Sequence, residues 1–136
     1  MQLQLLDRKE KLKFLDLALH LINIDGQMSD IESKLLDVMV AEVGPEIVKE
    51  YHFSLSADLN ETLQFFSEKA AYVKCLVYLN LLVLIMLEDL YNTKEHFFLE
   101  DIRHLLQISE KKKTQLMRIV YEQRDLNEKV KRTIHE

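Results

Sequence analysis

An all-α fold, a compact bundle of about six to seven helices, follows from three observations. The chain of 136 residues holds two glycines and one proline, against averages of about 7% and 5% in soluble proteins, so a β-sandwich or barrel would lack the residues its turns need. Leucine alone fills 25 positions, and the apolar residues recur at three- and four-residue intervals. No segment with strand periodicity competes. Hydrophobic residues at 48% and charged residues at 30% exclude intrinsic disorder and suffice for one sizeable core, so 1–136 is read as a single domain.

The elements follow in order. Asp7-Arg8-Lys9-Glu10 has the form of a capping box and opens a helix with a broad apolar face from Leu12 to Ile22; Lys9, Lys13, Asp16 and His20 share its polar strip. After a short loop around Asp25-Gly26, Ser29-Asp30-Ile31-Glu32 is a second capping box. Its helix is expected to bury Ile31, Leu35, Leu36, Val38, Met39 and Val43 and to stop at Gly44-Pro45. A helical turn is expected at 46–51. Ser56 or Asp58 then caps a helix carrying Leu59, Leu63, Phe65 and Phe66. From about Ala70 to Leu90 the chain is apolar nearly all round, which marks a buried central helix. Asn92-Thr93-Lys94-Glu95 repeats the capping pattern before a helix with Phe97, Phe98, Leu99, Ile102, Leu105 and Leu106 inward. Ser109 caps the last helix, which carries Leu116, Ile119, Val120, Leu126, Val130 and Ile134, and beyond about Glu122 thins into charge and is expected to fray.

Composition restricts the function classes. The net charge of −5 divides into −8 over residues 1–108 and +3 over 109–136. An acidic body repels phosphate backbones, so nucleic-acid binding is disfavoured, and cations or basic surfaces are its natural ligands. The only cysteine, Cys75, lies in the most apolar run and fits a reducing, cytoplasmic compartment. The N-terminus turns charged at Asp7, too early for a signal-peptide core. The longest apolar run, Cys75 to Leu87, is shorter than the roughly 20 residues of a membrane span, so no membrane partner is expected. A Gly-rich phosphate loop, a Gly-x-Ser-x-Gly elbow and a His-Glu-x-x-His motif are all missing, which argues against an enzyme.

One segment carries chemistry. Asn23 to Glu32 matches positions 3 to 12 of a calcium-binding EF-hand loop, with oxygen ligands at Asn23 and Asp25, Gly26 at the sharp turn, Ser29, and Glu32 closing. Hard divalent cations take six to eight oxygens, and this spacing wraps them round one point. The first position would be Leu21, which argues against an ordinary EF-hand. Shifted by 63 residues the segment recurs in degraded form: Asp25 falls on Glu88, Gly26 on Asp89, Ser29 on Asn92 and Glu32 on Glu95. The chain therefore reads as a pseudo-repeat of helix, acidic loop and helix around the central helix. Facing each other, the two units would bring together Asp25, Glu32, Glu88, Asp89 and Glu95 as candidate ligands for Ca²⁺, Mg²⁺ or Mn²⁺. Acidic residues at the end of a helix oppose its dipole, a cost incurred twice here.

An apolar helix running into Asp25-Gly26-x-Met28-Ser29-x-x-Glu32, a second acidic loop and a Leu105-to-Ser109 segment of Leu-Leu-Gln-Ile-Ser together resemble the tellurite-resistance TerB-like domains over roughly residues 10–120. The resemblance implies a cytoplasmic bacterial helical domain linked to tellurite and other chemical stress, with acidic loops that bind cations. By position it carries over Asp25, Gly26, Ser29 and Glu32 as the first motif, while the second departs from the pattern at Glu88 and Asp89.

Simpler roles compete. Ser29 and Glu32, like Asn92 and Glu95, can serve purely as caps. His96, Glu100 and His104 have a zinc-compatible spacing but read as the solvent face of one helix. Cys75 reads as a small buried hydrophobe. The −8/+3 split also supports a protein-interaction module, in which the basic C-terminal helix meets a partner, a second copy, or its own acidic body.

Overall fold

The computed structural model describes residues 2–23, 30–51, 58–86 and 93–136, with the side chains of 30–35 excepted. After a 3-10 turn at Leu3–Leu5, seven α-helices follow among the described residues: α1 (Arg8–Ile22), α2 (Asp30–Val43), α3 (Pro45–Glu50), α4 (Leu59–Ser67), α5 (Ala71–Met86), α6 (Thr93–Leu105) and α7 (Glu110–His135). These residues contain no strand.

Helix starts follow the predicted chemistry where they are described. Asp7 accepts from the Glu10 backbone N–H at 2.8 Å, and Glu10 accepts from that of Asp7 at 3.0 Å, a reciprocal capping box. Asp58, rather than Ser56, caps α4 by accepting from the Asn60 N–H. Ser109 caps α7 through Lys112. Each such cap stabilises its helix by about 1 kcal/mol. Pro45 occupies the first position of α3, where its missing N–H deprives no helical acceptor.

The pseudo-repeat extends through the packing. A shift of 63 residues carries Arg8–Ile22 onto 71–85 and Asp30–Val43 onto 93–106, nearly the bounds of α5 and α6. The buried residues of α1 are Glu10, Phe14, Leu15, Leu17, Ala18, Leu19, Leu21 and Ile22. Those of α5 are Val73, Val77, Tyr78, Asn80, Leu81, Leu82, Leu84 and Ile85, each 63 positions on. Leu3 pairs in the same way with Phe66, Met39 with Ile102 and Val43 with Leu106, all buried. Contacts repeat as well: α1 packs on α2 and α3, and α5 on α6 and α7; the 3-10 turn packs on α2, and α4 on α6. The halves interlock through α1 against α4, and the Gln2 N–H donates to Asn80 Oδ1 of α5 at 2.7 Å. Burial of these apolar faces, at roughly 25 cal/mol per Å², drives the assembly.

Three expectations about inward faces are corrected. Phe97 and Leu105 of α6 and Val38 of α2 are exposed: Phe97 stands about half a turn from the buried Leu99, Ile102 and Leu106, on the opposite side of α6, while Leu105 and Val38 lie at the edges of their helices' apolar faces. In α7 only Leu116 and Val120 are buried, although Ile119, Leu126, Val130 and Ile134 continue the same spacing. Past Glu122 the helix continues to His135, and what thins out there is burial, since every residue is exposed.

Candidate functional site

Of the five candidate cation ligands, one has a described side chain. Asp25, Gly26 and Ser29 fall within 24–29, and Glu88 and Asp89 within 87–92, both outside the described residues. Glu32 is the third residue of α2, and its side chain also lies outside them; Glu95 is the third residue of α6 and is 4% exposed. The two glutamates thus hold the same register position at the starts of equivalent helices. Among the described residues no three His, Cys, Asp or Glu side chains are grouped to hold a metal ion.

The described chemistry is concentrated between α5, α6 and α7, where sequence reading saw an exposed helix face. Glu100 is largely shielded and joins α6 to α7. Arg103 donates to its Oε2 through Nε and Nη2 at 3.0 and 2.8 Å, and the Lys113 ammonium donates to its Oε1. The Arg103 guanidinium also reaches Glu110 Oε1 at 2.9 Å and the Ile108 carbonyl at 3.0 Å. The Lys113 hydrogen bond, joined by that of Arg103, holds the Glu100 carboxyl down at about 2 despite partial burial. The bond to Glu100 in turn raises Arg103 above its ordinary value. His104 stands 4.0 Å from Glu100 and is exposed. His96, Glu100 and His104 are therefore not one solvent strip: Glu100 is committed to two cations, and His96 lines a cleft.

That cleft, about 540 Å³, is floored by Tyr78, Leu82 and Leu99 and flanked by Met117, Tyr121 and Arg124 of α7. Its wall is the Glu100–Lys113 pair. The arrangement suits an apolar group with a polar end.

In the first half, Tyr51 after α3 donates its hydroxyl to Asp16 Oδ1, tying the end of that half back to α1. Burial, reinforced by this bond, pushes the phenol well above its usual range. Lys9, Lys13 and Lys69 approach the Phe65 ring at 5.4, 5.9 and 4.6 Å, and Lys69 also pairs with the buried Glu10 at 3.5 Å. These are fold-stabilising cation–π contacts. Cys75 is half-buried.

Sequence reading missed Arg103 and Asn80. Arg103 sits three residues after Glu100 in the last turn of α6, a spacing and place that favour a cation. Asn80 had no such signal beyond being polar inside an apolar run; its amide donates to the Leu76 carbonyl at 2.9 Å. No helix among the described residues is long and apolar enough to cross a membrane. Comparison with known protein families, with curated proteins and with solved structures finds no match to this chain.

Proposed function

We propose that this chain is a non-enzymatic, cytoplasmic helical protein of the TerB-like type, whose two acidic inter-helix segments bind a divalent cation during chemical stress such as tellurite exposure. The observation that supports it is the repeat: segments 24–29 and 87–92 follow equivalent helices, and Glu32 and Glu95 occupy the same place in the helices that come next. Isothermal titration with Ca²⁺, Mg²⁺, Mn²⁺ and Zn²⁺ tests the reading. Binding should release or absorb heat, raise the melting temperature by mass action, and weaken in Asp25→Asn and Glu88→Gln. No heat with any of the four ions and an unchanged melting temperature overturn it.

A second reading, a protein-interaction module, is favoured by the C-terminal half of α7, whose apolar side chains Leu126, Val130 and Ile134 are exposed. Removal of the residues after Glu122 should then alter the oligomeric state or the set of bound partners while leaving the bundle folded. An unchanged profile on both counts would rule the module out.

A further inference from the structure

The two halves differ most in their last helix. α3 has six residues, and α7, its counterpart, has 26. From Tyr121 onward every residue is exposed, an arm of about 22 Å at 1.5 Å per residue. A helix of this length with no tertiary face is marginal in water. It nevertheless carries an apolar stripe: Ile119, Leu126, Val130 and Ile134 are 52%, 55%, 47% and 70% exposed, and their spacing places them on one side, continuous with the buried Leu116 and Val120.

We propose that a second copy of this chain covers the stripe, the two arms pairing antiparallel. The inference rests on the interaction-module reading and names its partner. Charge selects the occupant and its direction. In heptad terms Ile119, Leu126 and Thr133 form one row of the seam and Gln123 and Val130 the other, the latter row continuing into Leu116 where the bundle covers it, with Glu122 and Lys129 along one edge. With the two-fold axis between Arg124 and Asp125, Ile119 meets the partner's Val130 and Gln123 the partner's Leu126. The same register sets Glu122 against the partner's Lys129 and Lys129 against the partner's Glu122, so both edge charges are matched twice. A parallel pair would instead oppose Glu122 to the partner's Asn127 and Lys129 to the partner's Ile134, matching neither. Within its own chain the arm pairs four other charges on the far face, Arg124 with Asp125 at 3.7 Å and Lys131 with Glu128 at 3.6 Å. Glu122 and Lys129 make no ion pair among the described residues, which leaves both for the partner.

Sedimentation velocity on the full chain tests the proposal. A dimer is expected, and Leu126→Lys should dissociate it and loosen the arm while the bundle of α1–α6 stays folded, because Leu126 is 55% exposed in its own chain. Glu122→Lys alone and Lys129→Glu alone should each weaken dimerisation by setting like charges opposite each other. An equimolar mixture of these two variants should form a heterodimer about tenfold tighter than either variant with itself, equivalent to about 1.4 kcal/mol, since every edge pair is then again of opposite sign. A mixture no tighter than the separate variants overturns the antiparallel register. A wild-type chain that stays monomeric at about 100 μM, an affinity any functional dimer should exceed, overturns self-pairing. If that monomer still loses a bound partner on truncation after Glu122, the module reading survives alone; if truncation changes nothing, both fall.

Discussion

In the first half of the molecule and the second, α1 and α5 bury the same positions, yet equivalent positions carry different chemistry. Where α1 places Leu17, α5 places Asn80; where α1 has Glu10, α5 has Val73; where α2 has Asp37 and Val40, α6 has Glu100 and Arg103. Three of the buried polar groups, Asn80, Glu10 and Arg103, come with their partners. Asn80 serves the Leu76 carbonyl and the Gln2 N–H, Glu10 closes the Asp7 capping box, and Arg103 spans Glu100, Glu110 and the Ile108 carbonyl. Shape is thus shared between the halves, while polarity is local and depends on what stands next to it.

Exchanging residues between the halves tests this directly, and the largest effect is expected at Leu17→Asn. Leu17 is fully buried, so the amide would enter a site built for hydrocarbon, costing about 3 kcal/mol or more. The converse, Asn80→Leu, keeps the volume and gives up two hydrogen bonds near the N-terminus, a loss of about 1–2 kcal/mol. Denaturant unfolding of both variants gives the comparison. Equal losses would mean that the two positions are environmentally alike after all.

Next in size is the α6–α7 network, which has no counterpart in the first half. Arg103→Met should cost about 2–4 kcal/mol, since it removes the central cation of a shielded cluster, whereas Val40→Met at the matching position should cost about 1 kcal/mol or less. The network also sets an acid limit. Glu100 ionises at about 2 in the fold against an ordinary 4.5, so its contribution is complete above pH 4.5 and disappears as pH falls toward 2. Glu100→Gln should lower the melting temperature at neutral pH and flatten its fall across that window. A wild-type curve already flat between pH 4.5 and 2 would show that the carboxylate is not held as the geometry indicates.

This division explains how much was legible in the sequence. Helical spacing, the caps at Asp7 and Ser109, the stop at Gly44-Pro45 and the central helix all depend on neighbours within a turn or two, and the structure has them where they were expected. The 63-residue repeat was visible at the acidic loops because charged and small residues are few enough to align. The role of Glu100 was not visible, because Lys113 and Glu110 reach its cluster from a different helix, and sequence spacing within α6 carries no trace of them. Leu105 was expected inside for the converse reason: periodicity gives the width of an apolar face but not how much of it a neighbouring helix covers, whereas Phe97 was placed inside by its hydrophobicity alone, since it stands about half a turn from Leu99, Ile102 and Leu106. The candidate cation ligands other than Glu95 lie outside the described side chains, so their convergence rests on the titrations.

Effects of a different origin are expected where the repeat preserves a backbone conformation rather than a side chain, the smallest of them at Gln107. Among the described residues Gly44 and Gln107 are the two with positive φ, +92° and +58°, and they stand 63 positions apart, each just beyond the second helix of its half. At Gln107 the Ile108 N–H donates to the Arg103 carbonyl at 3.0 Å and the Gln107 N–H to that of His104 at 3.1 Å, the paired bonds of a Schellman turn. A left-handed glutamine costs about 1–2 kcal/mol, of which the greater freedom of glycine in the unfolded chain cancels about half. Gln107→Gly should therefore stabilise the protein by roughly 0.5–1 kcal/mol. Gly44→Ala should act oppositely and somewhat more strongly, by about 1–3 kcal/mol. Its φ of 92° with ψ of 161° belongs to a region essentially restricted to glycine, and extended ψ is what the following Pro45 demands. A Cβ there would meet nothing within 4 Å, so the loss would be of backbone origin alone. Chemical denaturation of the two single variants and of the double variant decides it: the effects should add, since the sites share no partners, and a Gln107→Gly chain no more stable than the parent would mean that the Arg103 network, rather than the turn, fixes the end of α6.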